Sequence, residues 1–330
     1  MTDKSLFRAY TDALINEIES IKGTHTKTVY IGGGTPTAIG EYLLEIVDTV
    51  NENLVLSGDC EFTVEANPGT VDMEILSELR KRGVNRISLG AQSFNDNELS
   101  ELGRIHSAKE IFDSCDMIKK AGFTNFSLDL MLATPHQSMT SLSYSLECIR
   151  KINPPHVSAY SLIVEEGTPF YDMELILPDE DEEREMYYYA EDFLGKMGLV
   201  RYEISNFARP GFESRHNCGY WQDEEYIGLG AGAHSYHKGA RFCNASDVIL
   251  YIDGKGRKED YTPISPKERK AELFMLGLRM SEGVVYSGEF SEKVDPLIKK
   301  GLLEITDGRL RLTKRGTDCA NLVFMEFLDD

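Results

Sequence analysis

Apolar and polar positions change rhythm along the chain. From Thr28 to about Leu162, short apolar runs alternate with amphipathic stretches, the pattern of β-strands joined by helices that cross over a parallel sheet. The strand runs are TVYIGG, EFTVEANP, RISLGAQS, NFSLDLML and HVSAYSLI. Between them the pattern predicts helices over Gly40–Asn51, Val71–Arg82, Asn95–Leu102, Ala108–Ala121 and Ser138–Ile152, each bounded by Gly, Pro, Asn or Ser.

Beyond the last run, PDEDEEREMYYYAEDFLGKMG predicts a helix whose acidic first turn suits the positive end of the helix dipole. The stretch RYEISNFARPGFESRHNCGYWQDEEYIGLGAGAHSYHKGARFCNAS keeps no period and is rich in Gly, aromatics and His. An irregular segment of this length is usually functional or disordered, and its aromatic content argues against disorder. From about Pro266 the chain reads as helix, helix and a hairpin, LLEITDGRLRLT, turning at Asp-Gly. That order resembles a winged helix-turn-helix.

Four predicted strands end in polar or small residues: Gly33 to Thr35, Glu65 to Pro68, Gln92 with Ser93, and Asp129. In a (β/α) barrel the C-terminal strand edge carries the ligand site, because the following loops converge there. The glycine run of YIGGGTPT lets backbone approach a ligand closely, yet it lacks the lysine of a phosphate loop and the helix opening of a dinucleotide fingerprint. Arg104 adds a fork-shaped cation able to grip a carboxylate at two points. With Glu65, Gln92 and Asp129 the set suits a zwitterion that also carries a sugar. Each residue by itself is equally an ordinary loop former.

The formal charge of −20 opposes nucleic-acid binding, which needs a basic face. The six cysteines include no C-x-x-C pair, and no signal peptide or long apolar run is present, so a reducing, cytoplasmic setting with free thiols is expected. His216, Tyr220 and Trp221 of HNCGYW offer an imidazole beside two aromatic rings. They suit a haem, which needs an axial nitrogen and apolar faces, or equally a capped loop with aromatics filling core. His234 and His237 stay open between ligand and structural roles.

The strings YIGGGTPT, EANPGT, RISLGAQSFND, LGRIHSA, SLDLM, SAYSLIVEEGTPF, YEISNFA and HNCGYW occur in order. They resemble the HemW-type radical S-adenosylmethionine (SAM) haem chaperones, relatives of the oxygen-independent coproporphyrinogen III dehydrogenases. The resemblance runs from Tyr10 nearly to the end. It implies that Gly33, Gly34 and Thr35 receive the methionyl end of SAM, that Glu65 contacts it, and that Gln92, Arg104, Asp129 and Ile163 hold one or a second SAM. It further implies that His216, Tyr220 and Trp221 contact haem, with acceptor haemoproteins as partners. Peripheral membrane contact and a homodimer stay open. The implied organisation is a radical SAM (β/α) barrel over residues 1–200, a haem-associated irregular region over 201–262 and a winged-helix-like domain over 263–330.

Two departures accompany it. Members of that family hold a [4Fe-4S] cluster through C-x-x-x-C-x-x-C, with three thiolates leaving one iron for SAM, and no such triplet stands in this sequence. The chain begins just after the place where the motif and the first strand would lie. The expectation is a partial barrel lacking its first strand through a truncated N-terminus; a protein that has dispensed with its cluster is the alternative. Second, DLMLATPHQS carries Ala133, Thr134 and His136 where relatives carry a YGLPGQ-like string. The functional alternatives are coproporphyrinogen III dehydrogenation, which requires the cluster, and a cluster-free binding or regulatory module.

Overall fold

A computed structural model of the chain describes residues 4–168, 170–256 and 258–328. The predicted alternation is present. Helix α1 (Phe7–Ser20) leads to β1 (His25–Ile31), α2 (Glu41–Asn53), β2 (Val55–Ala66), α3 (Met73–Lys81), β3 (Arg86–Gln92), α4 (Asp96–Glu101), α5 (Ala108–Lys120), β4 (Asn125–Leu132), α6 (Met139–Ile152) and β5 (His156–Ser161). Asp72, Asn95, Ser107 and Ser138 each accept a backbone N–H as helix caps, and Glu110 returns the bond to Ser107 in a capping box.

Strands β2 to β5 pair in parallel in chain order, with β1 at one edge of the sheet. After α7 (Glu180–Lys196), β6 (Val200–Glu203) and β7 (Asn206–Ala208) extend the other edge, β7 antiparallel to β5 and β6 antiparallel to β7. The chain separates into two compact units, one of residues 28–44 and 61–213, the other of residues up to 27, 45–60 and from 214 onward.

In the first unit β3 is buried along its whole length. Strands covered on both faces usually read as continuous apolar runs, yet this one alternates Arg-Ile-Ser-Leu-Gly-Ala-Gln. Ile87 and Leu89 join Phe62, Val64, Phe126, Leu128 and Val157 on an apolar face, which packs with α5 and α7. Each such aliphatic burial contributes about 1.5–3 kcal/mol. The other face carries Thr63, Glu65, Arg86, Ser88, Ser127, Asp129, His156 and Ser158 in alternating positions of β2 to β5, the polar interior of a partial barrel.

The second unit corrects the expectation of a largely irregular stretch. It contains α8 (Arg215–Trp221), β8 (His234–His237), β9 (Ala240–Cys243), α9 (Val248–Ile252) and β10 (Glu259–Pro263), with β8, β9 and β10 forming an antiparallel sheet. Strands of four or five residues are too short to display a period. Near the chain's end come α10 (Pro266–Gly277), β11 (Val284–Val285), α11 (Ser291–Lys299), β12 (Leu303–Thr306), β13 (Arg309–Leu312), α12 (Lys314–Asp318) and α13 (Ala320–Met325). The expected hairpin is β12–β13, and both turn residues are left-handed, Asp307 at φ 52° and Gly308 at φ 72°. Phe274, Phe290 and Phe327 pack ring against ring, with centroids 5.1 to 5.8 Å apart.

Candidate functional site

The polar face of the first unit gathers most of the residues singled out in the sequence. Glu65, near the end of β2, accepts a hydrogen bond from the Tyr30 hydroxyl at 2.6 Å and another from the Gly33 N–H at 3.1 Å. Burial and the Glu65 charge push the Tyr30 phenol upward, so it stays a donor. The three glycines of the loop differ in purpose. A Cβ on Gly32 would lie 2.7 Å from the Tyr30 ring and 2.8 Å from the Glu65 carboxyl carbon. Gly33 and Gly34 have φ of 85° and 95°, and a Cβ on either would meet open space. Thr35 follows, its hydroxyl accepting from Asn67 Nδ2 at 2.6 Å.

Gln92 ends β3 with φ 65°, and its side-chain oxygen accepts from the Tyr160 hydroxyl at 3.2 Å. Asp129 lies within β4 rather than at its edge, so its carboxyl stands inside the barrel. Burial pushes it up to about 6, against a Ser158 hydrogen bond that favours the anion; Glu65 raises it further, while Arg86 and Arg104 oppose the rise. Arg104, in the loop after α4, also acts on the Tyr160 phenol, so its charge faces the same interior. Ile163 stands just beyond β5 and is 75% exposed.

Sequence reading passed over Tyr30, Gly32, Asn67, Tyr160 and, above all, Arg86. The Arg86 side chain is 2% exposed, and its Nε has no hydrogen-bond partner among the described residues. The alternation within RISLGAQ was the available signal. Taken together, two carboxylates, a guanidinium from the loop, an amide and an open glycine cradle can hold a cation, a carboxylate and a sugar hydroxyl.

Helix α8, in the second unit, holds His216, Tyr220 and Trp221. Ser214 caps it by accepting the Asn217 N–H. His216 Nε2 and the Tyr220 hydroxyl are 2.9 Å apart, one helical turn along the same face. Tyr220 also packs edge-on against Tyr226 at 4.6 Å, and burial pushes its phenol up to about 12. Trp221 lies under the Arg279 guanidinium at 4.2 Å, with its indole N–H buried and unpartnered among the described residues. His237 pairs with Glu225 at 3.1 Å, and His234 is exposed on β8.

The residues present do not fit an iron–sulfur cluster. Cys60, Cys115 and Cys148 are buried, Cys218, Cys243 and Cys319 partly so, and no group of three His, Cys, Asp or Glu among the described residues is arranged to hold a metal ion. The loop after β4 gives the second departure a physical form: Ala133 and His136 both take left-handed backbone, at φ 53° and 60°. Glycine would be relaxed at either position.

The known proteins agree with this architecture. The Radical SAM superfamily matches residues 8–149, and the HemN C-terminal domain matches residues 264–318. A protein of Lactococcus lactis named "Heme chaperone HemW" is 39% identical, covering 98% of this chain and 90% of the relative. Its namesake in Bacillus subtilis is 38% identical over the same shares. The solved coproporphyrinogen III oxidase (HemN) of Escherichia coli, a radical SAM enzyme, shares the fold with a TM-score of 0.86 and 21% identity, covering 99% of this chain and 84% of that one. The chain belongs to the HemW family within the radical SAM superfamily.

Proposed function

We propose that this protein binds haem and passes it to acceptor haemoproteins, with SAM as a second ligand of its partial barrel. The observation that carries the haem reading is the HNCGYW helix. His216 presents an imidazole nitrogen whose partner, the Tyr220 hydroxyl, is neutral and therefore displaceable. Giving up such a hydrogen bond costs about 1 kcal/mol, small beside an axial iron bond. The relatives named haem chaperones, matched over most of their length, support the same reading.

For SAM, the open space before Gly33 and Gly34 receives the methionyl group, Glu65 and Asp129 face its positive charges, and Arg104 its carboxylate. Gln92 and Ile163 complete the hold. In radical SAM proteins a cluster-bound SAM supplies a carbon radical. The residues described here do not fit such a cluster, and what they offer SAM is a place to bind. We place the exchange in the cytoplasm; among the described residues no helix is long and apolar enough to cross a membrane. Adding haem to the purified protein is expected to shift the Soret band, and His216→Ala is expected to abolish the shift. A shift that survives this substitution overturns the haem assignment.

A further inference from the structure

We propose that Asp129 exchanges its proton with solvent along the polar inner face of the barrel, over a hydrogen-bonded chain of Ser158, Ser127, His156 and Tyr202. Every member lies in the first unit. Ser158, in register with Asp129, hydrogen-bonds its carboxylate. The Ser158 and Ser127 hydroxyls are 3.4 Å apart, Ser127 Oγ lies 2.7 Å from His156 Nδ1, and His156 Nε2 lies 2.9 Å from the Tyr202 hydroxyl. Tyr202, on β6, is partly exposed, whereas His156 has no exposed surface. The chain therefore runs from the inner carboxyl to a residue that water reaches.

Donors align in one sense along it when Asp129 is ionised. Tyr202 O–H points to His156 Nε2, His156 Nδ1–H to Ser127, Ser127 O–H to Ser158, and Ser158 O–H to the carboxylate. Shifting one proton across each link breaks one O–H or N–H bond and forms the next. Asp129 gains a proton, and Tyr202 regains one from hydronium or a buffer acid. Reversing the sequence releases the proton, so atoms and charge balance with solvent as the only other reactant. Burial and the Arg86 charge hold the His156 imidazole well below its ordinary range, so the proton passes without resting there. Glu65, Arg86, Arg104, Tyr30 and Tyr160 are the other charged or titratable groups acting on Asp129. Of these, only Arg86 also acts on His156.

The consequence deepens the SAM reading and rests on it. A cation seated against Asp129 expels its proton, and the chain gives that proton a way out while the ligand covers the mouth.

The test needs no ligand. Infrared difference spectra at pH 5 follow hydrogen–deuterium exchange of the protonated Asp129 carboxyl, its band assigned by loss in Asp129→Asn. Ser127→Ala and Tyr202→Phe, each nearly isosteric, are expected to slow this exchange by about tenfold or more. Circular dichroism checks that both remain folded, and a variant that does not is replaced by Ser158→Ala. Exchange as fast as in the wild type, or no band lost in Asp129→Asn, overturns the conduit. Separate calorimetry with SAM reports on the SAM reading, so the two fail independently.

Discussion

The polar face of the sheet and helix α8 hold their functional groups by opposite means. On the sheet, register between strands does the positioning: Glu65 stands beside Ser88, Ser88 beside Ser127 and Ser127 beside His156. Long ladders anchored by an apolar underside leave such side chains little freedom, and the vulnerability is charge, since Arg86 is held away from water and burial raises the Asp129 carboxyl. On α8, a seven-residue helix holds His216 against Tyr220 through one cap and one turn of backbone. A helix that short has little stability of its own. Its vulnerability is geometry rather than charge.

The contrast is broken most severely at Gly32. The new methyl of Gly32→Ala would meet the Tyr30 ring and the Glu65 carboxyl at distances below 3.0 Å, and the flexible carboxylate is the group that must yield. Its displacement forfeits two hydrogen bonds and a charged ligand contact. We expect SAM affinity measured by calorimetry to fall about hundredfold, the equivalent of roughly 3 kcal/mol, while the Soret response to haem stays as in the wild type. Equal loss of both would show that the two regions do not function separately.

Much of this architecture is readable from the chain. Five strands, their intervening helices and the Asp-Gly hairpin follow from period and punctuation, because long segments carry enough positions to display a rhythm. The glycine run, Glu65, Gln92 and Asp129 announce themselves by standing where apolar runs end. Register does not. Nothing local in RISLGAQS tells that Arg86 is drawn into the electrostatics of Asp129 and His156, which belong to other strands. Nor does GGG distinguish Gly32, required by a close neighbour, from Gly33 and Gly34, required by their positive φ. The sheet of β8 to β10 was hidden by the brevity of its strands.

A second, smaller effect tests the sheet's sensitivity to charge. Asp129 has a folded-state pKa of about 6, above its unfolded value near 3.8, so folding holds its proton more tightly. Its contribution to stability is thus greatest at low pH and is lost as pH rises through this window. Asp129→Asn removes that dependence. Relative to the wild type it is expected to gain about 1–3 kcal/mol in urea unfolding at pH 8 and only about 0.5 kcal/mol at pH 4. A difference that does not change with pH would mean the carboxyl is fully hydrated.

The smallest effect belongs to α8. Ser214 is fully buried and accepts the Asn217 N–H, so Ser214→Ala leaves a helix start with an unmet donor and no water to replace the cap. Loss of such a cap costs about 1 kcal/mol. Because α8 carries no buried charge pair among the described residues, that cost should fall on helix geometry. Thermal unfolding should shift by a few degrees without a change in pH dependence, and haem affinity should weaken by a similar free energy, since His216 and Tyr220 lie on the turn the cap secures. The SAM affinity of the same variant should be unaltered. A fall in SAM binding alongside haem binding would make the cap a support for both regions, and the separation drawn between a register-held and a cap-held site would have to be abandoned.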